Sequence, residues 1–433
     1  MSGLRRLFRG ARLLDPESGR DAIGDVIVVG DRIAAIGHDI HAEGLGADVE
    51  IIDCAGFCLA PGLVDMRVQL REPGAEHIES IESGSQAAAA GGVTTMVALP
   101  NTEPPVDDVS VVEFLARRAR EVRLAKVHTY AAATKGLKGK ELTEIGLLAA
   151  NGAIGFTDGV KAIANALVMR RVLSYARTFD QLVVQHPEEA SLGGAGEVTE
   201  GEISTRLGLA GIPPAAEVMM IERDLRLVAL TGARYHAAHV STEAAIDAIR
   251  RAKAQGLPVT CDTAPPYFAL NETAIGDYRT FAKLSPPLRS ERDRQAVVAG
   301  LADGTIDAIA SDHAPWDQDS KRLPFSSASY GIVGLETLLS LSLELCHKRD
   351  LSLIDVLRRL TITPARILGL GVGTLAAGAP ADFVVFDLRA KYRVETDRFR
   401  SKSKNAPFDD RPVQGRVELT VVDGRTIFER AAA

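Results

Sequence analysis

Gly62-Leu63-Val64-Asp65-Met66-Arg67-Val68-Gln69-Leu70 reads as a short apolar strand, and the turn-forming Arg71-Glu72-Pro73-Gly74 follows it. Comparable strands fall at 93–100, 126–134, 153–158, 181–186, 233–240, 258–264 and 307–312. Amphipathic, helix-like stretches lie between them, at 109–123, 166–178, 215–230, 243–255 and 291–301. Eight strands alternating with helices predict a (β/α)8 barrel in the α/β class. The competing arrangement is a doubly wound open sheet. The number of strands counts against it, as does the absence of a G-x-G-x-x-G turn after the first strand.

Outward from this core the pattern changes. Residues 7–53 contain short β-rich runs broken by turns, such as 25–31 and 32–37, and similar hairpin pieces recur at 381–387 and 418–424. This predicts a small β-sandwich built from both termini, with residues 1–58 and 370–433 flanking a barrel over 59–369. The stretch 398–412 is polar and holds two prolines, so it is expected to be a long surface loop.

The chain has 433 residues, 46% hydrophobic and 25% charged, an ordinary globular composition that rules out disorder and low complexity. Its formal net charge is −7, with no Lys/Arg block and only 5% aromatics. That combination excludes a nucleic-acid binder relying on a basic stripe or stacking platforms. Cys54, Cys58, Cys261 and Cys346 are too few for a disulfide framework and read as reduced thiols of a cytoplasmic protein. The uncharged run 83–102 is interrupted by Gly91-Gly92 and Pro100, so no membrane partner is expected.

Chemistry in such a barrel gathers where the strands end. Asp158, His186, His239 and Asp312 close strands four, five, six and eight and are predicted to face one mouth. Two imidazoles and one or two carboxylates are a sufficient ligand set for catalytic Zn2+, which would bring a bound water to a pKa of roughly 7. His38, His41, His77, His128 and His347 are read as ordinary core or surface residues.

These residues sit within recognisable motifs: Ala60-Pro61-Gly62-Leu63-Val64-Asp65, Leu70-Arg71-Glu72-Pro73-Gly74, Pro100-Asn101-Thr102, His239-Val240-Ser241-Thr242 and Ser311-Asp312-His313-Ala314-Pro315. With them the chain resembles the dihydroorotases of the amidohydrolase superfamily. Strand four ends Phe156-Thr157-Asp158-Gly159, without the lysine that hydantoinases and allantoinases carry there. The resemblance implies reversible cyclisation of N-carbamoyl-L-aspartate to dihydroorotate in pyrimidine biosynthesis. It implies Asp158 as bridging ligand and His186 and His239 as ligands of a second metal. Asp312 would be a first-metal ligand and the catalytic proton carrier, with Arg71 and Asn101 holding the substrate carboxylate.

The departures are as informative. Where the family has His-x-His on the first strand, this chain has Arg67 and Gln69. A guanidinium has no lone pair to offer and repels a cation. At most one Zn2+ is therefore expected, or none. Ser285 and Trp316 also stand where the family often has asparagine and histidine. The chain is similar to non-catalytic dihydroorotase homologues that assemble with aspartate carbamoyltransferase. Three readings follow: such an assembly partner, a dihydroorotase using a single metal, or a related cyclic amidohydrolase with Arg67 as an anion anchor. The expected partners are aspartate carbamoyltransferase, a second copy of the chain in a homo-oligomer, and carbamoyl-aspartate or dihydroorotate for the enzyme.

Overall fold

The computed structural model describes residues 5–38, 40 and 49–431; His41 lies outside them. The predicted strands form one parallel sheet in chain order: Leu63–Val68, Val93–Ala98, Lys126–Ala131, Ala153–Phe156, Val183–Gln185, Tyr235–Ala237, Val259–Thr263 and Ala308–Ile309. The first two are buried along their whole length, Asp65, Arg67, Thr94 and Thr95 included. The last strand bonds back to the first: Val68 bridges His313 in parallel, and the Gln69 N–H donates to the His313 carbonyl at 2.8 Å. That closes the ring and disposes of the open sheet.

The helices follow their sequence signals. Val109–Val122, Ala166–Thr178, Glu243–Ala254 and Glu291–Ala302 are capped by the side chains of Asp108, Asn165, Thr242 and Ser290. Each cap accepts from one or more otherwise unpaired amides of the first turn. No helix among the described residues is long and apolar enough to cross a membrane.

The two ends build one β-domain. Arg5–Asp15, Arg20–Val29 and Arg32–Gly37 join Cys58–Pro61 and the tail strands Phe383–Arg393, Pro412–Val422 and Arg425–Glu429 in a single sheet. The sheet wraps one core in which Phe8 and Phe383 meet edge to face at 4.8 Å, beside Val26, Val28 and Val421. The N-terminal and C-terminal parts also bond directly outside the ladder: the Ala381 N–H donates to the Asp31 carbonyl at 2.8 Å. Lys126, on the third barrel strand, ties this domain to the barrel through Asp382 at 2.6 Å. The four cysteines are free, and burial pushes Cys54 up to about 12 and Cys58 up to about 11, so neither is a reactive thiolate.

The stretch 398–412 is not a surface loop. Ser401, Ser403, Asn405 and Phe408 are buried in it. The Ser401 hydroxyl donates to Glu79, itself fully buried, and Ser403 Oγ donates to the Ile78 carbonyl at 2.9 Å. Asn405 Nδ2 donates to the carbonyls of Ala314 at 3.1 Å and Gly331 at 3.0 Å. Its polar side chains are matched to polar groups of the barrel rim, so polarity here signals a bonded strap and not exposure.

Candidate active site at the barrel mouth

The first strand delivers Arg67 and Gln69 to the mouth, two residues apart and hence on one face. They line a cavity of 480 Å3 together with Arg71, Asn101, His186 and Asp312. Arg67 Nε donates to Asp312 Oδ1 at 2.8 Å, with both side chains buried. Arg67 Nη2 donates to the Gly159 carbonyl at 3.3 Å, and Nη1 has no partner.

The other oxygen of Asp312 lies 2.9 Å from His239 Nδ1, and His239 Nε2 lies 2.8 Å from His186 Nδ1. One proton arrangement satisfies the whole chain: His186 Nδ1–H donates to His239 Nε2, and His239 Nδ1–H donates to the Asp312 carboxylate. Burial alone would raise the Asp312 carboxyl, but His239 and Arg67 outweigh it and hold the carboxyl far below its usual range. For His186, burial and then His239 and Arg67 push the imidazole well below its ordinary value, so it is neutral.

The backbone at this rim is tightly constrained. Arg71, His239 and Asp312 have φ of 58°, 38° and 51°, the left-handed region that costs an L-residue free energy. For His239 the turn is held by its N–H, which donates to Asp262 Oδ1 at 2.7 Å. For Asp312 the preceding Ser311 N–H donates to Asp65 Oδ1 at 3.1 Å. In the sequence neither Asp65, which stands out only as part of a motif, nor Asp262 has a role at the site; each reads as a polar residue inside a strand.

Asp158 is buried at the end of the fourth strand, but both its oxygens are taken by Thr134, one by the N–H at 2.9 Å and one by the hydroxyl. Burial raises its carboxyl and these bonds only partly compensate. It does not reach the cavity wall, nor does His239. Asn101 Nδ2 donates to Gln69 Oε1 at 2.9 Å, and Arg71 Nε donates to the Pro315 carbonyl at 3.2 Å while its guanidinium lies 4.2 Å over the Trp316 ring. The Arg71 and Trp316 pairing explains the tryptophan: it supports the arginine by stacking.

These donors do not fit a binuclear zinc centre. Two imidazole nitrogens on one tetrahedral Zn2+ stand about 3.4 Å apart, given Zn–N of about 2.0–2.1 Å. His186 and His239 are at hydrogen-bond distance instead, 2.8 Å. Asp312 is bound to a guanidinium, and the oxygens of Asp158 are turned to Thr134. Among the described residues, no three His, Cys, Asp or Glu side chains converge on a common point for a metal ion.

A closed (β/α)8 barrel joined to a β-domain from both termini, with histidines and a carboxylate at the strand ends, defines an amidohydrolase-type protein. Residues 56–245 match the Dihydro-orotase-like family and residues 296–428 the Amidohydrolase family. The dihydroorotase of Anaplasma phagocytophilum is 46% identical over 97% of this chain and 94% of its own length. That of Geotalea daltonii is 43% identical over 98% and 99%. Among solved structures, the L-hydantoinase (dihydropyrimidinase) of Arthrobacter aurescens superposes with a TM-score of 0.87 at 26% identity, over 100% of this chain and 97% of that one. The chain belongs to the dihydroorotase family.

Proposed function

We propose that this chain is a non-catalytic dihydroorotase homologue, a cytoplasmic protein of pyrimidine biosynthesis that serves as assembly partner of aspartate carbamoyltransferase. The observation that carries the reading is the buried Arg67–Asp312 ion pair at 2.8 Å. It places a permanent cation against the carboxylate that family chemistry needs both as metal ligand and as proton carrier. Against the effect of burial, His239 and then Arg67 hold Asp312 ionised, so it is a poor proton donor at neutral pH. The partner follows from what such homologues do when their chemistry is lost.

One observation favours a second reading, an active dihydroorotase with a single Zn2+ on His186, His239 and Asp158 and with Asp312 as proton carrier. Arg71 and Asn101, the groups expected to hold the substrate carboxylate, remain on the wall of the mouth cavity. Metal analysis of the purified chain, a carbamoyl-aspartate cyclisation assay and co-elution with aspartate carbamoyltransferase decide between them. The scaffold reading expects no turnover and a stable complex. Turnover at an ordinary enzymatic rate, with one zinc per chain, would replace it by the single-metal enzyme.

A further inference from the structure

Two buried polar atoms at the mouth have no partner: Arg67 Nη1, on a residue 2% exposed, and Glu188 Oε2. Both side chains line the same cavity of 480 Å3. An unsatisfied buried polar atom costs about 1–3 kcal/mol, and more when charged, so each marks a place where a ligand atom or water is due.

The charges of the wall narrow the ligand. Arg71 makes no ion pair with the described residues, and its one hydrogen bond is from Nε to Pro315, which leaves the terminal nitrogens unused. Asp312, also on the wall, is already committed to Arg67 and His239. Glu188 has no ion-pair partner among the described residues either, and its Oε2 is buried on the cavity wall without a hydrogen bond. The cavity therefore offers unused guanidinium N–H groups and one unused carboxylate oxygen. Its volume suits a small polar molecule.

Resting on the non-catalytic reading above, we propose that the mouth is a binding site for an acidic α-amino acid. Its carboxylates pair with Arg71 and Arg67, and its protonated amine pairs with Glu188. A dicarboxylate without an amine would leave Glu188 unpaired and repelled by the ligand. An N-acylated or carbamoylated analogue would replace the ammonium by a neutral N–H. Both are discriminated against by the same buried carboxylate.

The test is calorimetric titration of the purified full chain with L-aspartate, succinate and N-carbamoyl-L-aspartate, repeated on E188Q and R67M after their melting curves confirm folding. L-Aspartate should bind at least about tenfold more tightly than succinate or N-carbamoyl-L-aspartate. E188Q should erase that preference, and R67M should weaken all three ligands. Absence of aspartate binding to the unmodified chain, equal binding of all three, or a preference that survives in E188Q would overturn the proposal. Cyclisation is followed in the same samples. Turnover of carbamoyl-aspartate overturns the non-catalytic reading, whereas absent turnover without aspartate binding overturns only the binding site.

Discussion

Arg67 Nε stands 2.8 Å from Asp312 Oδ1 although the two residues are 245 positions apart, so the ion pair joins the first strand of the barrel to the segment following the last. It spans the seam where the ring closes, beside the Gln69 N–H to His313 carbonyl bond at 2.8 Å. Chemistry and closure therefore share one contact. Breaking a buried pair from one side leaves an uncompensated charge and costs about 3–5 kcal/mol, whereas neutralising both partners costs less. R67M is expected to lower unfolding stability by that amount, and R67M with D312N to recover part of it. Urea denaturation at pH 7 measures both. Equal losses in the single and double variants would show that the pair is not what holds the seam.

Lys321 gives a pH dependence of definite sign. Its ammonium is buried and donates only to carbonyls, Ser329 at 2.7 Å and Gly331 at 3.1 Å. Burial, and then the charge of Lys283, bring it down to about 7 from an unperturbed 10.5. Between these values the unfolded chain holds the proton and the folded chain does not, so stability rises with pH through that window. Below about 7 both states are charged and the penalty is fully present. The slope is at most about 1.4 kcal/mol per pH unit. Chemical denaturation at pH 7, 8, 9 and 10 should show the rise in the unmodified protein and a flatter profile in K321M.

Much of the barrel was legible because most strands are largely buried and four of the five predicted helices open with a side-chain cap, the exception being Ala215–Thr231, which starts at Pro214. The last strand is shorter than its sequence run, Ala308–Ile309 against 307–312, and the chain turns beyond it at Asp312 with φ of 51°. That Arg67 and Gln69 would stand at the mouth followed from their place on the first strand. Which carboxylate Arg67 would choose did not, since Asp158 and Asp312 are equivalent by residue type. Thr134 decides it by taking both oxygens of Asp158. The strap over 398–412 was misjudged because composition reports polarity, not whether a polar group finds a partner. Glu188 was missed for a related reason: an unpartnered oxygen is a property of the assembled cavity.

Asn405 is the residue through which the strap holds the rim. Besides its bonds to the Ala314 and Gly331 carbonyls, its Oδ1 accepts from the Trp316 N–H at 3.2 Å. Replacing it by leucine, similar in size, strands these buried groups and should cost about 2–3 kcal/mol. The local signature is more telling than the total. Hydrogen exchange at the Trp316 amide should accelerate in N405L well beyond the global loss of stability, while amides of the Tyr235–Ala237 strand change only with that global loss. Uniform acceleration across the barrel would mean the strap contributes bulk stability and no particular hold on the rim.

Histidines can be placed at the two first-strand positions where the family resemblance implies them. In R67H with Q69H, two imidazoles would project into the mouth from alternate positions of one strand, on one face. The guanidinium would be gone, freeing Asp312 Oδ1 and removing the fixed positive charge that opposes a cation. Zinc needs three or four such donors, and the unmodified mouth does not bring three together among the described residues. Zinc content after equilibration and desalting should therefore rise from at most one per chain toward two. R67M with Q69M is the control, since it removes the cation without supplying ligands, and it should not gain metal. Cyclisation should remain weak even in the zinc-loaded histidine variant, because Ser285 and Trp316 still stand at positions where family members often carry asparagine and histidine, and Trp316 fills its place by stacking on Arg71 at 4.2 Å. Metal uptake without strong turnover would separate loss of the metal centre from loss of substrate contacts. If the histidine variant takes up no more zinc than the methionine control, the ligand argument for Arg67 and Gln69 is wrong and the mouth excludes metal for another reason.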